Sequence, residues 1–367
     1  MSVDFLKLAV QGVQGLQPYV PGKPVDELER ELGISNIVKL ASNENPMGPS
    51  PKVQAVVTRA LGELTRYPDG NGFRLKQKLA DKHQVGLNQI TLGNGSNDVL
   101  ELIARAFADQ HAEIIFSQYA FAVYPIVTQA VGAKAVEVPA RNYAHDLEAM
   151  ARAVTDKTKL IFLANPNNPT GTWFDAQAFE AFLRAVPSQV LVVIDEAYIE
   201  YVTQEGFLDS MNYLQQYHNL IVSRTFSKAY GLAALRVGYA VSHPQVADVL
   251  NRVRQPFNVN SLALEAAVAA LDDPDYVRAS VEANAKGMLQ ICAGLEAMGL
   301  SWIPSVGNFV CIDMGQPAAP LYQELLRKGV IVRPVANYGM PNHLRISIGT
   351  EQENAVFLKA LAEVVHS

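Results

Sequence analysis

The segment Ser223-Arg-Thr-Phe-Ser-Lys-Ala-Tyr-Gly-Leu-Ala-Ala-Leu-Arg236 carries one lysine, Lys228, among small and hydroxyl-bearing residues. A lysine amine becomes nucleophilic when burial or a neighbouring positive charge lowers its pKa, and it can then form a Schiff base with a carbonyl. Thr225 and Ser227 can donate hydrogen bonds to phosphate oxygens, and Arg236 can bind the same anion through its planar guanidinium. These neighbours favour pyridoxal phosphate as the carbonyl compound. Taken alone, the segment also fits a Ser/Thr-rich loop with a solvated lysine.

A predicted strand with a carboxylate at its end lies upstream of this segment. Residues Val190–Ile194 are apolar throughout, which is typical of a buried parallel strand, and Asp195-Glu-Ala-Tyr198 follows directly. Ligands of open α/β sheets bind at the carboxyl ends of the strands. Asp195 can therefore pair with a protonated pyridine nitrogen, and Tyr198 can reach the ring hydroxyl. The alternative role for Asp195 is a helix N-cap.

Two further apolar runs end in turns of the same kind. Leu160–Ala164 leads into Asn165-Pro-Asn-Asn-Pro-Thr-Gly171, which brings the amide of Asn168 to the same edge of the sheet. Ile90-Thr-Leu-Gly-Asn-Gly-Ser-Asn-Asp98 combines a short apolar segment, a glycine-rich turn and a helix start, an arrangement that suits phosphate. The order of strand and motif predicts an α/β protein whose mostly parallel sheet carries a ligand site at one edge.

With these motifs the chain resembles the pyridoxal-phosphate aminotransferases of fold type I, and most closely the histidinol-phosphate aminotransferase family. The resemblance extends over nearly the whole chain. Outside the segments already quoted it rests on Gln17-Pro-Tyr-Val-Pro-Gly22, Lys39-Leu-Ala-Ser-Asn-Glu-Asn-Pro46, Arg66-Tyr-Pro-Asp69 and Leu344-Arg-Ile-Ser-Ile-Gly-Thr350. It implies transamination between L-histidinol phosphate and 2-oxoglutarate, giving imidazole acetol phosphate and L-glutamate in histidine biosynthesis.

The resemblance also implies a role for each matching residue. Lys228 would be the Schiff-base and catalytic lysine, and Asp195 would pair with the pyridine nitrogen. The other cofactor-binding residues would be Asn168 and Tyr198 at the ring hydroxyl, and Ser96, Asn97, Thr225, Ser227 and Arg236 at the phosphate. Tyr67 would reach the phosphate held by a neighbouring subunit, so a homodimer is expected.

The aromatic residue that stacks on the cofactor lies in Ser117-Gln-Tyr-Ala-Phe-Ala-Val-Tyr124. Counting back from Gly132 favours Phe121, while Tyr119 and Tyr124 remain alternatives, and each can equally be a core residue. For the substrate, the resemblance implies Arg345 as the anion anchor of both half-reactions, assisted by Arg333, Tyr19 and Asn43. An arginine fork binds carboxylate and phosphate alike, whereas the alternative for each arginine is a surface ion pair.

The expected architecture is a three-layer αβα large domain with a mostly parallel sheet and a smaller α+β domain. We place the large domain at residues 42–257 and assign the N-terminal arm, 1–41, together with 258–367 to the small domain. A break at Gln255–Asn260 precedes helical stretches at 263–271 and 276–298, and strands are predicted at Ser305–Ile312 and Leu344–Ile348. Lys228 and Arg345 then belong to different domains, with a substrate pocket between them.

Composition sets further limits. The chain has 367 residues, of which 49% are hydrophobic, enough for one large core and a smaller one. A net charge of -6 argues against a nucleic-acid surface. Two cysteines, Cys292 and Cys311, predict no disulfide framework and favour a reducing compartment, the cytoplasm. The sequence shows no long apolar run and no leader-like start, so we expect neither membrane insertion nor export.

Other functions fit parts of the pattern. Aromatic amino acid aminotransferases and a threonine-phosphate decarboxylase share most of these motifs. A ligand-sensing regulator with the same fold usually needs a fused DNA-binding segment, which the sequence before Gln17 does not provide. A dehydrogenase built on the GNGSND turn lacks the third glycine of the dinucleotide motif and leaves Lys228, Asp195 and Asn168 unexplained.

Overall fold

The computed structural model describes residues 3–365. The strands in that range are β1 (Val38–Lys39), β2 (Ile90–Gly93), β3 (Glu113–Ser117), β4 (Lys134–Val138), β5 (Thr158–Ala164), β6 (Leu191–Asp195), β7 (Leu220–Thr225), β8 (Gly238–Ser242), β9 (Ser301–Ile303), β10 (Phe309–Asp313), β11 (Val330–Ile331), β12 (Arg333–Pro334) and β13 (His343–Ser347).

The α-helices of the same range separate consecutive strands from β1 to β6, whereas β6, β7 and β8 follow one another without an intervening α-helix. They are α1 (Gln11–Gln14), α2 (Val25–Leu32), α3 (Pro51–Ala60), α4 (Phe73–His83), α5 (Ser96–Phe107), α6 (Val123–Ala130), α7 (Leu147–Arg152), α8 (Ala176–Ala185), α9 (Pro244–Val253), α10 (Ser261–Leu271), α11 (Pro274–Ala297), α12 (Ala318–Arg327) and α13 (Glu351–Val365). Short 3₁₀ turns connect several of them.

The larger sheet has seven strands in the order β2-β8-β7-β6-β5-β3-β4. Strand β8 is antiparallel to both of its neighbours, and the other pairs are parallel. The strands β5, β6 and β7 lie side by side at the centre, so their carboxyl ends meet at one edge. Each of these ends carries one of the predicted motifs, which confirms the order deduced from the sequence.

Alternating side chains of each central strand are buried on opposite faces of this sheet. In β5, Ile161 and Leu163 belong to one core with residues of α8, whereas Leu160 and Phe162 belong to a second core with residues of α5. All four side chains are 0% exposed, because helices cover both faces. The large part of the molecule is thus the expected three-layer αβα arrangement with a mostly parallel sheet.

The smaller sheet is antiparallel, in the order β12-β13-β10-β9, and packs against α11, α12 and α13. Strand β1 pairs with β11 in a separate two-stranded ladder, and the backbone N–H of Ser347 donates to Leu40 O at 2.9 Å. The chain around residue 40 is therefore tied to the smaller sheet before it enters the larger one. This pairing supports our proposal that the N-terminal arm belongs with the small domain.

Two boundaries differ from the sequence-based expectation. Helix α10 contributes Ala263, Ala266 and Ala267 to the core of the larger sheet, so its packing favours a domain boundary after Leu271 rather than at residue 257. We keep the division itself as a proposal. Strand β10 begins at Phe309 rather than at Ser305, because the Ser305 hydroxyl accepts a hydrogen bond from the Gly307 N–H and closes a turn there.

Within residues 3–365, none of the helices combines the length and apolar character needed to cross a lipid bilayer.

Candidate active site

A cavity of about 210 Å³ lies at the carboxyl edge of the larger sheet, and the smaller sheet contributes to its wall. It brings together thirteen of the predicted site residues: Tyr19, Asn43, Ser96, Asn97, Phe121, Asn168, Asp195, Tyr198, Thr225, Ser227, Lys228, Arg236 and Arg345. The predicted residues Tyr67 and Arg333 do not line it. Segments that are far apart in the sequence therefore meet in one place, and the motifs that follow β5, β6 and β7 meet there because the carboxyl ends of these strands share one edge of the sheet.

Lys228 lies in the loop that follows β7. Its Nζ donates a hydrogen bond to the backbone oxygen of Ser42 at 3.1 Å and lies 5.7 Å from the centre of the Tyr198 ring. Burial lowers the pKa of the lysine amine to about 8, and the nearby positive charge of Arg345 acts in the same direction. About a tenth of the amine is then neutral at pH 7, far more than for a solvated lysine.

Asp195 is the last residue of β6 and is only 5% exposed. Burial raises the pKa of its carboxyl to about 7, while a hydrogen bond from the Tyr124 hydroxyl to Oδ2, at 3.2 Å, lowers it. The other oxygen, Oδ1, is buried without a hydrogen-bond partner in the described part of the chain. A buried acceptor in this state is ready to bind a donor that a ligand supplies.

The start of α5 and the loop after β7 form a group of donors that we call the anion corner: Ser96, Asn97, Thr225, Ser227 and Arg236. Arg236 Nη1 lies 3.4 Å from Ser227 Oγ, and the Ser227 N–H donates to Thr225 Oγ1 at 3.1 Å. Two glycines keep the corner open, because an added Cβ would lie 2.3 Å from Arg236 Nη2 at Gly95 and 2.5 Å from Ser96 N at Gly238. Helix-start amides, hydroxyls and a guanidinium together suit a phosphate group.

Arg345 comes from β13 of the smaller sheet and is buried. Its Nη1 donates to Asn168 Oδ1 at 2.5 Å and its Nη2 to Ala41 O at 2.6 Å, while Nε has no partner in the described residues. Asn43 adds a further link between the sheets, since its Nδ2 donates to the Tyr198 hydroxyl at 2.9 Å and its Oδ1 accepts from Ser347 Oγ at 3.0 Å. Arg345 and Asn43 thus form a second polar region of the cavity wall, to which Arg345 contributes a positive charge.

Arg333 lies behind this wall. It is opposite Arg345 in the register of β12 and β13, its Nη2 donates to Val20 O at 2.5 Å, and its guanidinium carbon lies 5.5 Å from the centre of the Tyr19 ring. Tyr19 itself lines the cavity. Arg333 therefore orients the N-terminal segment that carries Tyr19, in addition to adding positive charge near Arg345.

Tyr67 lies outside the cavity of its own chain. Its side chain is 83% exposed, and its ring stacks on Phe257 with the ring centres 4.7 Å apart. A large exposed aromatic pair of this kind is typical of a contact surface.

Of the three candidate aromatics, Phe121 lines the cavity and the other two do not. Tyr124 is fully buried behind it, with the two rings edge to face at 5.9 Å, and Tyr119 packs on Tyr143 at 5.6 Å. The hydrogen bond from Tyr124 to Asp195, and the contributions of Ser42 and Glu44 to the lining, were not predicted from the sequence. The i, i+3 spacing of Phe121 and Tyr124 at a helix start was the available signal.

These residues fit pyridoxal phosphate. The anion corner suits its phosphate, the unpartnered Asp195 Oδ1 suits a protonated ring nitrogen, and Lys228 has the lowered pKa that Schiff-base formation needs. Phe121 offers an aromatic face in the same cavity. No group of three His, Cys, Asp or Glu side chains in residues 3–365 is placed to hold a metal ion.

Comparison with known proteins agrees with this geometry. The family model for class I and II aminotransferases matches residues 35–361. The chain is a member of this family. It is 64% identical to histidinol-phosphate aminotransferase 2 of Pseudomonas fluorescens over 367 residues, covering 100% of this chain and 99% of that one. It is 63% identical to the protein of the same name from Pseudomonas aeruginosa over 364 residues, covering 99% of each.

Solved structures show the same relationship. The structure of histidinol-phosphate aminotransferase from Sinorhizobium meliloti in complex with pyridoxal-5'-phosphate superposes with a TM-score of 0.90 at 32% identity, covering 97% of both chains. The protein is therefore an aminotransferase of the histidinol-phosphate type, with the fold of that family. The aromatic amino acid aminotransferase and the threonine-phosphate decarboxylase considered from the motifs are not favoured, because the close relatives carry the histidinol-phosphate name over the full chain.

Proposed function

We propose that this aminotransferase uses pyridoxal phosphate to transfer the amino group of L-histidinol phosphate to 2-oxoglutarate. The products are imidazole acetol phosphate and L-glutamate, and the step belongs to histidine biosynthesis. The observation that carries the proposal is the single cavity that holds Lys228, Asp195, the anion corner and Arg345 together. The names of the relatives supply the substrate, and the cavity supplies groups that suit its chemistry.

When bound, pyridoxal phosphate supplies an aldehyde that takes up the amino group and a protonated ring that stabilises negative charge at the substrate Cα. Lys228 moves the proton from that Cα, first as general base and then as general acid. A pKa of about 8 suits both roles, since the amine is neutral often enough to accept a proton and basic enough to hold it. Such proton transfer contributes typically about 10²–10⁴-fold to the rate.

The remaining residues bind and orient. Asp195 would stabilise the protonated ring nitrogen, and Asn168 with Tyr198 would orient the ring hydroxyl. The anion corner would hold the cofactor phosphate. Phe121, which lines the same cavity, would offer an aromatic face to the ring.

An anion site besides the anion corner is needed, because histidinol phosphate carries a phosphate group and 2-oxoglutarate carries carboxylates. Arg345 meets this need, since Asn168 and Ala41 fix two of its nitrogens while Nε remains without a partner in the described residues. Its planar fork donates hydrogen bonds to the phosphate of one substrate and to the carboxylate of the other. Tyr19 and Asn43 complete this side, and Arg333 adds positive charge from behind.

We also propose that the working unit is a homodimer in which Tyr67 reaches the cofactor phosphate of the neighbouring subunit. The exposed Tyr67–Phe257 pair supports this, because Tyr67 lies outside the cavity of its own chain. Tyr67→Phe should therefore weaken cofactor binding, and mixing it with an inactive Lys228→Ala protein at limiting pyridoxal phosphate should raise activity in the hybrid dimers, where one site keeps both residues. If the activity of the mixture after subunit exchange does not exceed that of Tyr67→Phe alone, Tyr67 acts within its own chain or not at all.

Location and partners complete the proposal. The described Cys292 and Cys311 are both free thiols, which suits the reducing cytoplasm. The partners are small-molecule substrates and a second copy of the chain, with no role for nucleic acid or membrane.

The test is a visible absorption spectrum of the protein loaded with pyridoxal phosphate, recorded before and after separate additions of L-histidinol phosphate, L-phenylalanine and L-glutamate. We expect the cofactor band to change with histidinol phosphate at the lowest concentration and with glutamate at higher ones. A response to phenylalanine at lower concentration than to histidinol phosphate would change the substrate. Failure to acquire any band with added pyridoxal phosphate would overturn the cofactor assignment.

A further inference from the structure

Tyr124 is a fully buried residue in the first turn of α6, behind the wall of the active-site cavity. Its ring stacks on Phe162 with the centres 4.9 Å apart, and its hydroxyl lies 3.2 Å from Oδ2 of Asp195. It is the one side chain in the described range that hydrogen-bonds this carboxylate. The same ring meets Phe121 edge to face, so Tyr124 contacts two residues of the cavity without lining it.

The direction of the hydrogen bond follows from acidity. Burial holds the pKa of the Tyr124 phenol well above its usual value, so this group keeps its proton at every pH at which the enzyme works. The phenol therefore donates and the Asp195 carboxylate accepts. A hydrogen bond to the charged form of an acid favours that form, whereas burial without a donor favours the neutral acid.

We propose that Tyr124 is a positioning residue that favours the ionised form of Asp195 and holds its Oδ2, leaving Oδ1 free to pair with the protonated ring nitrogen of the cofactor. The inference rests on the proposed role of Asp195. A neutral Asp195 would lose the charge that stabilises the protonated ring, and a rotated one would misplace the acceptor. Because Tyr124 also packs on Phe121, it fixes the ring-facing aromatic relative to this carboxylate.

The charge balance at Asp195 shows why a donor matters here. Burial raises the pKa of this carboxyl to about 7, and the Tyr124 hydroxyl is foremost among the groups that oppose the rise, followed by the Ala197 N–H. Glu196 adds to the rise, whereas the cation of Lys228 opposes it. Without the phenol, Asp195 would become protonated at a higher pH, within the range in which the enzyme is expected to work.

The experiment measures the affinity of the cofactor-free protein for pyridoxal phosphate from pH 6 to pH 9. Tyr124→Phe keeps the ring and its stacking on Phe162, so the variant should fold, which urea unfolding checks. We expect Tyr124→Phe to bind pyridoxal phosphate about tenfold more weakly than wild type near pH 7, because one charge-assisted hydrogen bond is lost. The difference in affinity should be smaller at pH 9, where Asp195 is ionised in both proteins. The matched control is Tyr239→Phe, which removes a buried hydroxyl bonded to His83 at 2.8 Å.

A merely structural role for Tyr124 would lower stability and leave the pH dependence of cofactor binding unchanged. The inference is overturned if Tyr124→Phe binds like wild type at every pH, if the loss does not depend on pH, or if Tyr239→Phe shows the same change. The Asp195→Asn variant distinguishes a failure of this inference from a failure of the proposed function. If Asp195→Asn binds the cofactor normally, the role of Asp195 fails; if it binds weakly, adding Tyr124→Phe should cause no further loss.

Discussion

Replacing Gly238 by alanine tests the anion corner with a single added carbon atom. Gly238 pairs with Gly93 on one side and with Thr225 on the other, directly below the start of α5. A Cβ there would lie 2.5 Å from Ser96 N, 2.8 Å from the carbonyl carbon of Gly95 and 3.0 Å from Arg224 O. All three are backbone atoms, which cannot rotate away as the end of a flexible side chain can.

The size of the effect follows from these distances. Ordinary contact requires the start of α5 to move by roughly 1 Å, and overpacking of this kind costs about 1–3 kcal/mol of folding stability. The same shift moves the Ser96 and Asn97 amides away from the position at which we propose that the cofactor phosphate binds. Losing one charge-assisted hydrogen bond of about 1.5–3 kcal/mol weakens binding at least about tenfold.

The assay compares Gly238→Ala with Gly62→Ala, where an added Cβ meets nothing within 4 Å. Urea unfolding of the cofactor-free proteins measures the change in folding stability. Titration with pyridoxal phosphate, and with pyridoxal, which lacks the phosphate, measures the change in cofactor affinity. We expect Gly238→Ala to lose affinity for pyridoxal phosphate and little for pyridoxal. Equal losses for both ligands, or behaviour like that of Gly62→Ala, would refute the assignment of the anion corner.

Three other variants test two residues of the site, Lys228 and Arg345, and one buried histidine outside it, His145. Lys228→Ala should unfold in urea like wild type but lose transamination by about 10²-fold or more, and retained turnover would reject Lys228 as catalytic residue. Arg345→Ala should raise the Michaelis constants for both histidinol phosphate and 2-oxoglutarate, whereas an effect on neither would remove it as anion anchor. His145 is buried, and burial lowers its pKa to about 4, so its contribution to stability is present above pH 6.5 and is lost as the pH falls. Wild type should therefore lose about 2 kcal/mol more than His145→Gln between pH 7.5 and pH 5 in urea unfolding, and parallel losses would disprove this.

The sequence predicted those parts of the site that depend on local patterns. An apolar run followed by a polar turn is visible within ten residues, so the strands β5 and β6 and the motifs at their ends were placed correctly. The rule that parallel strands align their carboxyl ends then brought Asn168, Asp195 and Lys228 together.

Contacts between distant segments were not visible in the sequence. The hydrogen bond from Arg345 to Asn168 joins residues 177 positions apart, and it depends on how the smaller sheet packs against the larger one. The place of Tyr124 behind Asp195 depends on the angle at which α6 leaves the sheet. The packing of α10 against the core of the larger sheet could not be predicted either, because an alanine-rich helix can pack equally well against either core.

The adjacent carboxylates Asp195 and Glu196 at the end of β6 have different roles, one in the proposed reaction and one in stabilising the fold. Successive side chains of a strand point to opposite faces, so the two acids have different neighbours. Glu196 pairs with Arg224 at 2.7 Å and accepts the Ser210 N–H at 3.1 Å, so its charge is neutralised within the protein. Removing one partner of such a buried pair typically costs about 3–5 kcal/mol, which makes this pair a fixed support for the ends of β6 and β7.

Asp195 has no such cation in direct contact. Its hydrogen-bonding side chain, Tyr124, is neutral, and Oδ1 has no partner in the described residues. The carboxylate is thus held in place without being neutralised, although burial disfavours its charge. In the proposed site, a protonated ring nitrogen would supply the missing positive charge and the missing donor at once. Binding would then relieve the unfavourable burial of Asp195 in the cofactor-free protein and favour the protonated form of the ring that transamination requires.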